Sequence, residues 1–304
     1  MAAMMSDVLE RLLAVEKRKT PTPVRFQLQN IVKLTGNISL VSWMAALNEN
    51  VKSTPNFTDG EVVSVSDAAL IQAVDALFGS YSRIELLQHI GWFFVLTLAP
   101  LGNISMLDEG LVQIARPVFC ASEVEASYGE LLASLYVRAR FSKKERAEIT
   151  LALVNITRTA LDKISSVRWS NDVSKLTALK KLEQVKLVLW PSDDLLTFST
   201  LNEMYAPFLS QADTFIAFWL DGHRRLRELT ADHQYSLMLS LPSNSQLPLF
   251  DYDRLLDTVG VSVAALSAPV YYGRSTPVML YSGLGFAFAQ QLVKALDSVR
   301  LEVS

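Results

Sequence analysis

Residues 280–297, near the end of the chain, have the sequence LYSGLGFAFAQQLVKALD. Two glycines, Gly283 and Gly285, precede apolar residues spaced i, i+3, i+4 and i+7, which is the spacing of one face of an α-helix. The apolar positions are Ala289, Leu292, Val293 and Leu296. The opposite face carries Gln290, Lys294 and Asp297, with Gln291 beside them. The pattern therefore predicts an amphipathic helix that follows a glycine-containing turn, at which we expect close approach of the backbone.

This stretch resembles the zinc-binding helix of the neprilysin and endothelin-converting-enzyme family of metallopeptidases. That family has the pattern N-Y-G-G-I-G, a few apolar residues, H-E-x-x-H, and then a small residue, an aromatic residue and an aspartate. In an alignment without gaps, the matching residues are Tyr281, Gly283, Gly285 and Asp297. Asp297 then occupies the position from which the family's aspartate supports a zinc ligand.

The three residues that perform the chemistry in this family do not match. Gln290 and Lys294 stand at the two zinc-histidine positions, and Gln291 stands at the catalytic glutamate. In H-E-x-x-H two imidazoles bind zinc and the glutamate is the general base for the zinc-bound water. A glutamine amide is a poor ligand and takes no proton near neutral pH, and lysine adds positive charge where the metal ion would lie. We therefore predict that zinc is not bound and that the chain has no cofactor.

Other stretches carry the same resemblance over roughly residues 20–298. They are His89-Ile90-Gly91-Trp92, Ala99-Pro100-Leu101, Cys120, Leu135-Tyr136-Val137 with Phe141, and Trp190-Pro191. The resemblance implies a mainly α-helical fold in two parts. Residues 1–241 would form the helical lobe, and residues 249–304, after a Pro- and Ser-containing linker, would form a truncated thermolysin-like catalytic lobe.

The substrate-binding residues of the family are also missing. The family has valine-asparagine-alanine on a strand before the zinc helix, and its asparagine binds the substrate backbone. The corresponding residues are Val261-Ser262-Val263-Ala264-Ala265, so that Ser262 or Ala264 takes the place of the asparagine. The third zinc ligand and the substrate-binding arginine and histidine of the family would lie beyond Ser304.

Composition and charge limit the partners. The net charge of −3 and the sequence pI of about 5.7 give no electrostatic basis for binding nucleic acid. The longest apolar run, from Ile90 to Leu101, is too short to span a bilayer, so no transmembrane segment is expected. The resemblance implies peptides or proteins as partners.

Signals for localisation conflict. Cys120 is the only cysteine, which excludes an intrachain disulfide, and the N-terminus has no basic region followed by an apolar one, as a signal peptide requires. Either the chain is cytosolic or an upstream part is missing. The resemblance implies an extracellular or plasma-membrane location, and N-x-S/T sequons at Asn37, Asn56 and Asn103 are possible glycosylation sites. A fourth sequon, at Asn155, lies inside a predicted helix.

One helix stands out among the others that the periodicity predicts. From Ile84 to Leu98 the residues are apolar nearly all round, which predicts a helix at the centre of a helical core. By contrast, residues 61–65 include several β-branched residues, which indicates a short edge strand.

The sequence leaves three alternative hypotheses for the function. The first, which we favour, is a non-catalytic homologue of the metalloendopeptidases that acts as a binding protein. The second is a partial gene product of a secreted or membrane-bound zinc metalloendopeptidase, without independent activity. The third is an active peptidase, which would need metal ligands that the sequence does not supply.

Overall fold

The computed structural model describes residues 2–17, 24–50, 56–102, 112–168, 170–208, 213–231, 249–273 and 276–296. The chain forms two compact units, one containing Met1–Arg116 and the other Pro117–Ser298. The domain boundary predicted between residues 241 and 249 lies outside the described residues and stays a prediction. The expectation of a mainly α-helical protein is confirmed.

The first unit has four helices and a two-stranded antiparallel ribbon among its described residues. The helices are α1 (Ala2–Glu16), α2 (Leu40–Asn50), α3 (Ala68–Ser80) and α4 (Arg83–Gly102). The strands are β1 (Val24–Gln27) and β2 (Val62–Val65), paired so that Phe26 lies opposite Val63. The strand predicted at residues 61–65 is therefore confirmed. A small core of Met4, Val8 and Leu77 joins α1 to α3.

A buried carboxylate holds the loop before α2. Asp75, on α3, accepts hydrogen bonds from the backbone nitrogens of Gly36, Asn37 and Ile38 at 2.9–3.0 Å. The side-chain nitrogen of Asn37 donates to the Asp75 carboxylate at 3.0 Å as well. Because four N–H groups donate to the Asp75 carboxylate, its hydrogen-bonding capacity is satisfied without a cation. The amide nitrogen of the Asn37 sequon is thus part of this network.

Helix α4 does not form the centre of a core, so the prediction for this helix is wrong. Its first turn reaches the core of the unit through Leu86. Five consecutive residues further on, from Trp92 to Leu96, are each between 42% and 64% exposed. Five consecutive residues span more than a full helical turn, so no side of this part of α4 is buried. Among the described helices, none is long and apolar enough to cross a membrane.

The second unit has helices around a small mixed sheet. The helices are α5 (Val112–Arg140, which starts in the first unit), α6 (Lys143–Ser166), α7 (Asp172–Gln184), α8 (Phe198–Tyr205), α9 (Phe215–Ala231), α10 (Pro277–Leu280) and α11 (Phe286–Leu296). The strands are β3 (Lys186–Val188), β4 (Phe250–Asp253) and β5 (Thr258–Val261). The central strand, β5, pairs in parallel with β3 and antiparallel with β4.

Local sequence signals set the helix boundaries in this unit. Ser142 and Glu145 form a reciprocal capping box at the start of α6, and Asn171 caps α7 through its side chain. The strands show the alternation of a sheet with one buried face: Val259 and Val261 are fully buried and Gly260 is half-buried. Ile149 and Leu153 of α6 pack on this face together with Leu182 of α7.

Polar contacts join α5 to α9. The indole nitrogen of Trp219 donates to Glu123 at 2.6 Å, and the hydroxyl of Ser127 lies 3.1 Å from Nδ1 of His223. Helix α5 departs from helical geometry at Tyr128, next to this contact. The Trp219 and His223 rings are in contact at a tilt of 31°, with a centroid distance of 3.8 Å. These residues are therefore occupied in joining two helices.

The exposure of α4 gives a stability test. Phe94 is 56% exposed, so Phe94→Ser should change the free energy of unfolding by no more than about 0.5 kcal/mol, as is usual for surface positions. Leu77, 7% exposed in the core of the same unit, is the control, and Leu77→Ala should cost about 2–5 kcal/mol. Urea denaturation measures both. A loss at Phe94 as large as that at Leu77 would mean that α4 is covered.

Candidate functional site

The zinc-helix positions lie on a continuous helical segment at the end of the described chain. It begins with α10, where Pro277 follows the N-cap Thr276, continues through a π-helical turn at Tyr281–Gly285, and ends with α11. Proline suits the first helical position because its missing N–H needs no partner there. The segment packs against β4 and β5 and against α6 and α7. Any chemistry at these positions is thus fixed by how the helix sits on the sheet.

Two glycines permit this packing. A Cβ atom on Gly283 would lie 2.3 Å from the carbonyl oxygen of Val270, and one on Gly285 would lie 3.0 Å from the side chain of Ile156. The expected close approach of the backbone is therefore confirmed at Gly283, whereas Gly285 makes room for a side chain. Gly283 and Gly285 are two of the residues that match the zinc-helix pattern, and the structure gives both a role in packing.

The buried face of α11 differs from the predicted one. Phe288, Gln291, Leu292 and Ala295 are buried, which again is an i, i+3, i+4, i+7 set. Of the predicted apolar face, Leu292 is buried, whereas Val293 is 59% exposed. The observed face is rotated by about one residue because the larger Phe288 ring, not Ala289, fills the core that contains Val259 and Leu284.

The three catalytic positions consequently divide between two environments. Gln290 and Lys294 are exposed, one helical turn apart. Gln291 is buried, with 7% exposure, and its side-chain oxygen has no hydrogen-bond partner among the residues that the structure describes. The sequence pattern placed Gln291 beside the polar residues, and this expectation is wrong. A buried amide oxygen without a donor costs free energy, so Gln291 is a polar defect in an apolar core.

No metal-binding cluster is found in the part of the chain that the structure describes, where histidine, cysteine, aspartate and glutamate side chains nowhere converge in groups of three or more. Asp297 lies outside the described residues, so the structure does not place it. The side-chain amides of Gln290 and Gln291 and the ammonium of Lys294 are poor zinc donors, since zinc prefers imidazole, thiolate and carboxylate. The residues present therefore do not fit the metal of the resembled family.

The residues at the substrate-asparagine position have structural contacts. Ser262 is fully buried, and its backbone nitrogen donates to the carbonyl oxygen of Leu249 at 2.9 Å. Its hydroxyl oxygen accepts a hydrogen bond from the backbone nitrogen of Ala264 at 3.1 Å and so caps a 3-10 turn at Val263–Ala265. Ala264 is half-buried in that turn. Neither residue offers the side-chain amide that would bind an extended peptide.

The predicted glycosylation sites differ from one another. Asn37 is exposed overall, but its side-chain nitrogen donates to Asp75 as described above. Asn56 is exposed. Asn103 lies outside the described residues. Glycosylation at all three stays a prediction.

A cleft of about 560 Å³ opens near the start of α6, and no sequence pattern predicts it. Its lining includes Lys144, Glu145, Glu148 and Tyr271. Burial raises the pKa of the Tyr271 hydroxyl, and the neighbouring carboxylates Glu145 and Glu148 raise it further, so this phenol stays protonated at neutral pH. Because charges of both signs line the cleft, it favours no single class of ligand.

The family model for the N-terminal part of Peptidase family M13 matches residues 2–189, which is more than half of the chain. Endothelin-converting enzyme 1 from Homo sapiens is 18% identical over 275 residues, covering 84% of this chain and 35% of that protein. The same enzyme from Rattus norvegicus matches with the same identity and coverage. The chain thus spans about a third of the length of these relatives.

Solved structures share the fold. The zinc metalloprotease Zmp1 from Mycobacterium tuberculosis, in complex with an inhibitor, has a TM-score of 0.56 and 16% identity, covering 94% of this chain and 45% of that one. PepO from Lactobacillus rhamnosis HN001 has a TM-score of 0.53 and 15% identity, and the match covers 96% of this chain and 45% of the PepO chain. At such identities the likeness concerns the fold alone.

The close approach at Gly283 gives the first prediction for this site. Gly283→Ala should destabilise the chain by about 1–3 kcal/mol or more, because the added Cβ would overlap the carbonyl oxygen of Val270. Gly91, in helix α4, has open space around its Cβ position. Gly91→Ala should be neutral or stabilise by up to about 1 kcal/mol, as alanine usually does in helices. Thermal unfolding of both variants gives the comparison, and equal effects would contradict the contact.

The buried amide of Gln291 gives the second prediction for this site. Gln291→Met keeps the length of the side chain and removes the unpaired oxygen, so it should stabilise the fold by about 1 kcal/mol. The matched control is Gln290→Met on the exposed neighbour, where the change should stay within about 0.5 kcal/mol.

Gln291→Glu should destabilise the fold, and the loss should grow with pH. Desolvation would raise the pKa of this carboxyl above its unfolded value of about 4.3, so ionisation favours the unfolded chain as the pH rises above that value. Urea denaturation at pH 4 and pH 7 measures the difference. A carboxylate at residue 291 tolerated equally at both values would mean that this side chain reaches solvent.

Proposed function

Because the chain belongs to peptidase family M13, we propose that it is a non-catalytic homologue of that family's zinc metallopeptidases and acts as a binding protein for peptides or proteins. The observation that supports this proposal is the identity of residues 290, 291 and 294. These residues are a glutamine, a glutamine and a lysine at the positions of two zinc ligands and the general base. The class of partner is inferred from the family.

Electrostatics support the loss of the metal. Lys294 is an exposed ammonium in the second ligand position, and a divalent cation held near it would be repelled. The nearest potential ligand on the same face, Gln290, offers only an amide oxygen, which suits hard cations better than zinc. Losing one ligand could leave a weak site, whereas losing both leaves zinc without a donor on this helix.

The environment of residue 291 supports the loss of the base. A general base must reach the water that it deprotonates and must take up its proton near neutral pH. Gln291 satisfies neither condition, since its amide has no basic group and its side chain is buried in the core. The substitution therefore replaces a charged group by a neutral one at a position where a charge would be costly.

Zinc binding and hydrolysis test the proposal together. Calorimetric unfolding of the purified chain should show a cooperative transition whose midpoint is unchanged by added zinc, because a metal raises the midpoint only if it binds the folded state. Metal analysis after dialysis should find no bound zinc, and a fluorogenic peptide should not be hydrolysed.

A two-histidine variant provides the positive control. Gln290→His with Lys294→His places two imidazoles one turn apart on an exposed face, which is the zinc-binding geometry of H-E-x-x-H. Zinc should raise the unfolding midpoint of this variant, and Gln290→His alone should respond much less. Zinc bound stoichiometrically by the unmodified chain, or peptide hydrolysis that a chelator abolishes, would overturn the proposal.

A further inference from the structure

A second candidate binding site lies on the opposite side of helix α11 from Gln290 and Lys294. It is a cavity of about 240 Å³ within the Pro117–Ser298 unit, bounded by α6, the junction of α7 with β3, and α11. The lining residues are Val154, Thr157, Arg158, Val185, Leu187, Phe288 and Leu292. No acidic side chain is among them, and five of the seven are apolar.

The elements that form the cavity are firmly held. Val154, Thr157 and Arg158 share one face of α6 through their i, i+3, i+4 spacing, and that helix is fixed by its capping box and by Leu153 in the core. Phe288 and Leu292, one turn apart on α11, are 2% and 3% exposed. A cavity between such elements exists before a ligand binds, so little ordering is needed on binding.

Arg158 supplies the only charge among the described residues of the lining. Its guanidinium is exposed, and it has no hydrogen bond or ion pair with any residue that the structure describes. Asp162 follows one turn later on α6 without pairing with it. The hydroxyl of Thr157 donates to the carbonyl oxygen of Leu153 at 3.4 Å, so that hydrogen is already in use. An incoming anion would therefore find one available cation beside an apolar wall.

We propose that this cavity binds a small apolar carboxylate of about six to eight carbons, a size set by a volume below that of ordinary drug-sized pockets. The hydrocarbon chain packs against the half-buried side chains of Val154, Val185 and Leu187, with Phe288 and Leu292 at the base of the cavity, and the carboxylate pairs with Arg158. A guanidinium binds a carboxylate through two parallel hydrogen bonds, which fixes the orientation of the ligand. The inference does not depend on the absence of zinc.

The same chemistry has two sources, a free carboxylic acid and the C-terminal residue of a peptide that ends in leucine. Both present an apolar group next to a carboxylate. For a ligand of about ten non-hydrogen atoms at an exposed guanidinium, the dissociation constant should lie in the range of roughly 0.1 to several millimolar.

Titrations followed by NMR test the proposal on the full chain. Hexanoate should shift the methyl signals of Val154, Leu187 and Leu292 in a saturable manner, and hexanol should bind at least about fivefold more weakly because it lacks the charge. Arg158→Gln should weaken hexanoate binding about tenfold or more and leave hexanol unchanged. Lys163→Gln removes an exposed cation from the same helix outside the cavity and should change neither affinity.

A blocking variant separates the cavity from the charge. Val154→Phe, with its fold checked by its unfolding midpoint, should abolish binding of both hexanoate and hexanol by filling the space. An acetylated tripeptide ending in leucine, compared with its C-terminal amide, identifies the source of the carboxylate. Saturable shifts with the peptide acid and none with the peptide amide support a peptide terminus as ligand. Shifts with hexanoate and none with either peptide support a free carboxylic acid.

Three results would overturn the proposal. They are no saturable shift with either carboxylate, equal affinities for hexanoate and hexanol, and an affinity for hexanoate that Arg158→Gln leaves unchanged. None of these results bears on zinc binding, so the proposal on zinc loss would stand or fall separately.

Discussion

Packing of helix α11 on the three-stranded sheet constrains the rest of the second unit. The helix places Phe288 and Leu292 in the same core as Val259 and Val261 of the central strand. It can do so only because Gly283 lets the preceding turn lie against the carbonyl of Val270. Any side chain at residue 283 would lift the helix, and the core, the cavity beside Arg158 and the orientation of residues 290–294 would change together.

This constraint explains how a peptidase-like fold can persist when the residues at the zinc-ligand and general-base positions change. The family residues that this chain retains in the described part of the segment are Tyr281, Gly283 and Gly285, and the two glycines act through packing. The residues that differ, Gln290 and Lys294, are exposed and contribute little to the core. Substitution at exposed positions rarely costs much stability, so the ligands can change while the fold remains. Gln291 is the exception, because its amide is buried at a cost.

The sequence predicted the elements better than their surroundings. Helical periodicity located α11, and the glycine pattern predicted a close approach of the backbone, but the period alone placed the buried face one residue away. Ala289 and Val293 fit the pattern as well as Phe288 and Ala295 do, and only the shape of the sheet decides between them. For α4 the apolar sequence predicted burial, yet burial depends on what else packs there, which no local pattern contains. The cavity was not predictable, since its lining comes from residues far apart in the sequence.

The two faces of α11 therefore offer separate chemistry. The outer face carries Gln290 and Lys294 with exposed Val293 between them, and it meets solvent. The inner face carries Phe288 and Leu292, which both fill the core and line the cavity under Arg158. The backbone between the two faces is held in place by the packing of Gly283 and Leu284, which directly precede the helix. Changes at Gln290 or Lys294 should thus leave the inner cavity intact, whereas a change at Leu292 would disturb the core and the cavity at once.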